Sequence, residues 1–436
     1  MITVVAHGVG ARGDLPLPLW MFAYAASFAL LISFAALGLL WPKPRLEAAA
    51  AGVALPGWVQ RAGSPLSVVG RIVGLAVLLL TFLAAVFGQP DAAANVAPYI
   101  VYVVFWVGIQ FAVAVLGDIW RSLNPLDTLA LLFRMPETAG RTPRTAPGWT
   151  AAVMLLSFAW LELAYYEPSD PRVVGLWMGS YTVAALIGAG LWGRGWLRVG
   201  EGFAVIFGLL AALAPLYRDP VTAELRVRAP VSGLARAPVR RGITAVILVT
   251  LGSTTFDGVT RTGFWLDLQF EYGLVGWKLT AVNTAGLIVC ILAVTVAFGL
   301  AIGATAAITD RPVRDLVEVF SPSLIPIVLA YAVAHYFSLL VFESQTAIAL
   351  ASDPFGRGGD LFGTVDWVPD YNALSPAAIA WVQVIAIVVG HVLGVLSAHD
   401  RAVERFSGRL AMRSQLPLVA VMVVFTVAGL TLLLGA

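Results

Sequence analysis

The chain has 436 residues, of which 59% are hydrophobic and 12% are charged, and its mean hydropathy is +0.87. Because a soluble domain carries about 25% charged residues, this composition excludes a water-soluble globule of comparable size. The formal net charge of +2 indicates little about partners, but the single cysteine, Cys290, excludes an internal disulfide and a cysteine-based metal cluster.

Ten apolar segments are candidates to cross a hydrocarbon core about 30 Å thick, which requires roughly 20 helical residues. The fourth and the sixth of them are the shortest. The sequence therefore predicts an all-α, polytopic membrane helix bundle of about ten transmembrane helices in a lipid bilayer. The predicted spans are 20–41, 67–88, 98–117, 149–165, 173–192, 242–259, 277–303, 322–342, 375–397 and 415–435.

Lysine and arginine are distributed unevenly over the connections between these spans. The connections after the odd-numbered spans hold 22 of the 27 basic residues, and the other side holds 5. Because short basic connections stay in the cytoplasm, this pattern predicts a multi-pass protein of a bacterial plasma membrane with both termini outside.

One further apolar run, 203–214, is left out of the ten spans. If it crossed the membrane, the basic stretch from Arg218 to Arg241 would face outside. Its short length and this charge pattern favour a re-entrant or interfacial helix near 202–216.

The remaining segments divide the chain into an external arm, residues 1–19, and a single transmembrane domain, residues 20–436. His7 opens the arm in a His-Gly pair that can bind a metal ion. The longest external loop, at about 343–374, is acidic and rich in turn residues. Its length favours a lid over an external vestibule, although an ordinary solvated loop fits equally well.

A faint internal repeat links two connections on the basic side. Gly117-Asp118-Ile119-Trp120 and Gly193-Arg194-Gly195-Trp196 each follow a span and precede a short helix. Internal repeats with short, interrupted apolar segments are typical of transporter folds. Alternatively, glycine and tryptophan simply mark helix ends at the membrane interface.

Three ionisable residues fall at a similar depth on three predicted spans. A rise of 1.5 Å per residue places Glu162, Asp257 and His335 at about 20, 22 and 20 Å from the inner face. Two carboxylates and an imidazole at one level suit a proton relay or a divalent metal ion. Alternatively, the two carboxylates simply lie near the outer water layer.

Hydroxyl groups precede Asp257 in the same predicted span. Ser253, Thr254 and Thr255, followed by Gly258, can support a break in the helix at which freed backbone groups bind a ligand. The alternative is that the hydroxyls donate hydrogen bonds to carbonyls of the preceding turn.

The remaining histidines extend this candidate pathway. Tyr331 and His335 are four residues apart and share a helix face. His391 lies deeper in the ninth span, and His399 lies near its cytosolic end, at the interface. A proton relay through His335 and His391 is one interpretation, since histidine titrates near neutrality. Hydrogen bonds between helices are the other.

Six segments spread along the chain carry a family resemblance. They are Ala6-His7-Gly8, Asp14-Leu15-Pro16-Leu17-Pro18, Trp41-Pro42-Lys43-Pro44-Arg45-Leu46-Glu47, Leu251-Gly252-Ser253-Thr254-Thr255-Phe256-Asp257-Gly258, Gly390-His391-Val392 and Ala398-His399-Asp400-Arg401-Ala402. They resemble a family of actinobacterial polytopic membrane proteins that often carry the automatic label of fenitrothion hydrolase, and the likeness runs along essentially the whole chain. The label implies hydrolysis of an organophosphate ester, which normally uses a metal-bound hydroxide.

Three functions are compatible with this sequence. The first is permease-like or channel-like transport of a small solute or ion. The second is a membrane-embedded metal enzyme that uses His335, Glu162 and Asp257 around a divalent ion, with His7 assisting from outside. The third is an accessory subunit that packs against other membrane subunits. No nucleic-acid partner is expected, because topology alone explains the basic loops.

We expect the 226–241 connection to be inaccessible from outside the cell. An Ala229→Cys substitution in a Cys290→Ser background should react with a membrane-impermeant maleimide only after permeabilisation, because the basic connections face the cytoplasm. Asp360→Cys in the predicted external loop is the control and should react in intact cells. Reaction at position 229 in intact cells would overturn the topology.

Overall fold

A computed structural model describes residues 17–138, 146–237 and 242–434, so His7 and most of the predicted arm lie outside the described residues. A π-helical stretch, Ile100–Gly108, joins the helices Val96–Tyr99 and Ile109–Leu116. The α-helices are α1 Leu19–Leu40, α2 Leu46–Ala49, α3 Gly57–Phe87, α4 Val96–Tyr99, α5 Ile109–Leu116, α6 Trp120–Leu123, α7 Pro125–Leu132, α8 Ala146–Leu163, α9 Pro171–Trp192, α10 Leu197–Gly200, α11 Gly202–Leu210, α12 Ile243–Thr260, α13 Gly263–Glu271, α14 Trp277–Thr309, α15 Val313–Phe320, α16 Ile325–Ala351, α17 Pro376–Arg405 and α18 Gly408–Leu434.

The predicted helix bundle is confirmed. Within the described residues, nine helices are long and apolar enough to cross a membrane, and they correspond to nine of the ten predicted spans. The predicted span 149–165 forms a shorter apolar helix, Gly148–Leu163. Several helices run beyond the predicted spans, because polar residues end an apolar run without ending the helix. Since α16 continues to Ala351, the loop predicted to be external begins later than position 343.

The apolar run at 203–214 belongs to a bent pair of short helical segments. Arg194–Gly200 and Gly202–Leu213 meet at 62°, as in a re-entrant loop or a broken span. Glu201 stands at the bend and accepts hydrogen bonds from the backbone N–H groups of Phe203 and Ala204, each at 2.8 Å. This carboxylate therefore caps α11 where the chain turns.

The two repeat segments share a local design. Gly117 and Gly193 each follow a span with a positive φ, +81° and +89°, which glycine adopts without strain. A buried tryptophan comes three residues later in both, at Trp120 and Trp196. As Glu201 caps α11, Asn124 caps α7 through the N–H groups of its first turn. The likeness thus extends from the sequence to the backbone.

A small antiparallel sheet, which the sequence analysis did not predict, lies among the connections on the arginine-rich side. Its strands are β1 Val53–Ala54, β2 Leu216–Arg218 and β3 Leu225–Val227, in the order β1-β3-β2. Val53 is opposite Val227, and Leu216 pairs with Val227 from the other side. Strands of two or three residues are too short to show the alternation by which strands are predicted.

Two helical segments occupy the centre of the bundle. In α12 and in the Val313–Ala351 segment, 72% of the most apolar stretch is buried, compared with 17–44% in the other candidate spans. The peripheral helices therefore present apolar side chains to lipid, whereas α12 and α16 face other helices almost all round. Polar residues on these two helices are the best shielded from lipid.

The loop between α16 and α17, predicted to be external, is organised by Asp353. Burial alone would raise the pKa of this carboxyl, but hydrogen bonds from backbone N–H groups, including those of Arg357 and Gly358, outweigh burial and lower the pKa below its usual value. The loop then packs on the end of α3, where the Gln89 N–H donates to the carbonyl of Phe355 at 2.9 Å. Arg357 donates to the carbonyl of Phe87 at 2.7 Å. The loop is therefore anchored to its neighbours.

A buried carboxylate on α17 binds the segment that follows α1. Asp400, only 3% exposed, accepts hydrogen bonds from the Trp41 indole at 2.8 Å and from the backbone N–H groups of Arg45 at 2.7 Å and Leu46 at 3.3 Å. Two of the segments on which the family resemblance rests therefore contact each other. We call this contact the Asp400 latch.

His399 completes the latch. Its side chain is only 1% exposed, which the sequence did not predict. Its Nδ1 faces the Gln415 amide nitrogen at 3.2 Å, and its Nε2 lies 3.0 Å from the carbonyl of Trp41. Since an amide nitrogen can only donate, Nδ1 accepts and Nε2 carries the proton. His399 is buried because the segment after α1 folds over this end of α17, and its predicted position at the membrane interface stays a prediction.

We expect Asp400→Ala to destabilise the protein by roughly 3 kcal/mol, because three N–H donors lose a buried acceptor. Thermal unfolding of the purified chain in detergent can be followed by the reaction of half-buried Cys290 with a fluorogenic thiol dye. Glu404→Ala, exposed on the same helix, is the control and should leave the midpoint unchanged. Equal midpoints for both variants would contradict the role given to the latch.

Candidate functional site

The candidate site is built on an ion pair near one end of α12. The Asp257 carboxylate is buried, and Arg261 Nη2 donates to both of its oxygens, at 2.9 and 3.0 Å. The two residues are one helical turn apart and so share a face of α12. The Arg261 side chain is 20% exposed, so the pair lies between the protein interior and its surface.

An imidazole from α16 faces the same carboxylate. His335 Nδ1 lies 3.4 Å from Asp257 Oδ2, and the His335 side chain is 3% exposed. A Cβ at Gly258 would lie 3.4 Å from His335 Cε1, an ordinary contact distance, and 3.1 Å from Leu432 Cβ, which is tighter. The structure therefore brings together two of the three residues predicted to converge.

The third of these residues lies close by. Glu162, on α8, is half-buried and within electrostatic range of Asp257 and Arg261. The buried Tyr336 phenol, next to His335, interacts electrostatically with the same three groups. Helices α8, α12 and α16 thus contribute two carboxylates, one guanidinium and one imidazole to one region, which we call the acid–histidine site: Glu162, Asp257, Arg261 and His335.

Two aromatic side chains continue from this site along α16 and α17. The Tyr331 and His335 rings are nearly parallel, at 14°, with centroids 6.2 Å apart. Tyr331 also meets His391, at a centroid distance of 6.1 Å. The Tyr331 hydroxyl donates to the carbonyl of Phe425 at 2.9 Å. The predicted shared face of Tyr331 and His335 is therefore present, and it leads to His391.

His391 has one satisfied and one unsatisfied ring nitrogen. Nδ1 lies 2.8 Å from the carbonyl of Ile387, so Nδ1 carries the proton in the neutral ring. Nε2 is buried and has no hydrogen-bond partner within the described ranges. His391, Tyr331 and Thr255 line a cavity of about 30 Å³. A space of that size accommodates a water molecule.

Glycine allows α16 and α17 to approach each other closely. A Cβ at Gly390 would lie 2.2 Å from the Ala330 Cβ and 2.9 Å from the carbonyl of Pro326. A side chain at this position would push α17 away from α16. Gly390 therefore sets the distance at which His391 meets Tyr331.

The hydroxyl run before Asp257 does not break the helix. Ser253 and Thr254 donate to the carbonyl of Thr250 at 3.0 and 2.9 Å, and Thr255 donates to that of Leu251 at 2.8 Å. Because α12 is continuous from Ile243 to Thr260, the helix-break hypothesis for Ser253 and Thr254 was wrong. The hydroxyls are satisfied by their own helix, as the alternative stated.

The divalent-ion hypothesis gains no support from the geometry. In the part of the chain that the structure describes, no three His, Cys, Asp or Glu side chains are grouped so as to hold a metal ion. The guanidinium of Arg261 is bonded to both oxygens of Asp257, where a cation bound by this carboxylate would lie. The residues as arranged fit a proton better than a metal ion.

The sequence analysis missed Arg261, which it assigned to an external connection. The sequence did contain a signal for Arg261, because Asp and Arg at positions i and i+4 of one helix can form an ion pair. It also missed Glu201, which is fully buried and accepts from the Tyr181 hydroxyl as well as from the start of α11. Glu201 acts as a helix cap with its acceptors satisfied, so we do not assign it to the site.

Comparisons with protein-family models, with curated proteins and with solved structures found no match to this chain. Its function must therefore be argued from the acid–histidine site. Fold-level analogy would in any case be weak support, since one fold serves many functions.

We expect Arg261→Gln to lower stability more than the double variant Asp257→Asn/Arg261→Gln. The single change removes a cation from a buried carboxylate, at a cost of about 2 kcal/mol given the partial exposure of Arg261, whereas the double change removes both charges. Thermal unfolding in detergent measures the difference. Arg314→Gln, at an exposed ion pair, is the control. A double variant less stable than the single one would contradict this account.

Proposed function

We propose that this protein is a membrane transporter that moves protons through the acid–histidine site. The observation that carries the proposal is the buried Asp257 carboxylate held between Arg261 and His335. An ionisable group inside a membrane bundle is costly to bury and by default points to a pathway for ions or protons.

The charges of the site favour the binding of one proton. With Glu162 and Asp257 ionised, Arg261 neutralises only one of the two carboxylates. The remaining negative charge is costly in a medium of low dielectric constant. A proton on His335 or on Glu162 removes it. The site can therefore alternate between a protonated neutral state and a deprotonated anionic state.

The side chains beyond the site give the proton a direction to travel. Tyr331 lies between His335 and His391, in contact with both rings. The unsatisfied Nε2 of His391 is a buried acceptor at the end of this row. This row supports transfer from the acid–histidine site toward α17.

The likeness to the actinobacterial family stays a prediction, and so does the hydrolase activity that it implies. Phosphotriester hydrolysis normally uses a metal-bound hydroxide, and the described histidines do not assemble with carboxylates into a three-ligand group. The chemistry of the site favours proton transfer, so we base the proposal on transport.

Proton flux into liposomes that contain the full chain and an internal pH dye tests the proposal. A potassium diffusion potential of about 100 mV supplies roughly 2.3 kcal/mol per proton moved across the membrane. We expect wild-type protein to acidify the lumen. Asp257→Asn and His335→Gln should each reduce the flux by roughly ten-fold or more, because every group in a relay is needed for transfer.

Two matched variants serve as controls. Asp267→Asn and Glu167→Gln change exposed acids close in sequence to Asp257 and Glu162 and should conduct as the wild type does. Equal flux in wild-type, Asp257→Asn and protein-free liposomes would overturn the proposal. Size-exclusion profiles of each variant establish that it is folded.

A further inference from the structure

An apolar groove of about 270 Å³ lies between α3, the α4–α5 segment and α9. Val73, Val77 and Val104 line it and keep 47%, 39% and 43% of their surface exposed, so the groove opens on the outside of the bundle. In a membrane, hydrocarbon chains contact that surface. The groove is separate from the acid–histidine site, with which it shares no lining residue.

The length of the groove matches one leaflet. Along α3 it extends from Val73 to Thr81, a distance of about 12 Å at 1.5 Å per residue. Half of a hydrocarbon core about 30 Å thick is about 15 Å. A single acyl chain from one leaflet would therefore lie along the groove.

A guanidinium marks one end of the groove. Arg71 lies on the same face of α3 as Gly74, Leu78 and Thr81, which line the groove, because these positions follow at three, seven and ten residues. Arg71 Nη2 is 2.8 Å from Asp127 Oδ2, and the Arg71 side chain is 26% exposed. Asp127 directly follows two lining residues of α7.

This end of the groove has an excess of positive charge. Arg194 contacts Asp127 at 3.1 Å and Glu137 at 2.6 Å, and Arg198 also pairs with Glu137. Three guanidinium groups thus share two carboxylates. A phosphate group beside these residues would supply the missing negative charge.

We infer that this groove binds a phospholipid with an anionic headgroup, in the leaflet on the arginine-rich side. One acyl chain lies in the groove along α3, and the phosphate lies beside Arg71. The apolar walls select a hydrocarbon chain, and the excess positive charge selects an anionic headgroup over a zwitterionic one.

Native mass spectrometry of the purified full chain with equal amounts of phosphatidylglycerol and phosphatidylcholine tests this inference. We expect wild-type protein to retain phosphatidylglycerol about five-fold more than phosphatidylcholine, the effect of one basic residue on an anionic lipid. Arg71→Gln should abolish the preference and leave phosphatidylcholine binding unchanged. Val77→Trp should fill the groove and reduce the binding of both lipids.

Matched variants and a conservative substitution keep the result interpretable. Arg314→Gln and Val289→Trp change an exposed arginine and an exposed valine away from the groove and should bind as the wild type does. If Arg71→Gln does not fold, Arg71→Lys should keep the preference for phosphatidylglycerol. Lipid binding by Val77→Trp then shows whether the groove is the binding site.

Three outcomes would overturn the inference. Equal retention of the two lipids by wild-type protein excludes headgroup selection. Wild-type binding by Val77→Trp excludes the groove as the site. A dimer mass that disappears in Val77→Trp would assign the groove to a second copy of the chain.

Discussion

Hydrocarbon neither donates nor accepts a hydrogen bond, so a polar side chain between the helices is costly unless another part of the chain satisfies it. Three buried carboxylates show how this is achieved. Glu201 and Asp400 take backbone N–H groups, at the start of α11 and in the segment after α1. Asp257 takes a guanidinium and faces an imidazole. The location of these acceptors determines which segments must meet.

The nature of the partner separates structural carboxylates from functional ones. Backbone N–H groups keep their protons and their positions, so Glu201 and Asp400 hold helix ends and connections in one arrangement. The imidazole of His335, beside Asp257, is a group that can act as a general acid or base. The charge at Asp257 can therefore change while the backbone remains in place. Of the three carboxylates, this one is equipped for proton transfer.

The sequence predicted the features that depend on hydrocarbon thickness. It did not predict the hydrogen bonds between segments that are far apart in the sequence. The spans followed from length and hydropathy, and counting depth along the helices brought Asp257 to the level of His335. The contact of Asp400 with Trp41 joins residues 359 positions apart, which no local pattern indicates. The burial of His399 was missed for the same reason. Arg261 was missed differently, because the positive-inside rule treats arginine as a topology marker and ignores its i−4 neighbour.

The position of the site in the bundle agrees with the function proposed for it. Asp257 and His335 lie on α12 and α16, which are covered by other helices, whereas most other spans face lipid. A proton on a peripheral helix would meet hydrocarbon on one side and have no partner there. On the central helices it meets Tyr331 and then His391, so the proposed transfer would follow the interior of the bundle. The same packing explains the glycine at Gly390, where a Cβ would clash with Ala330 of α16.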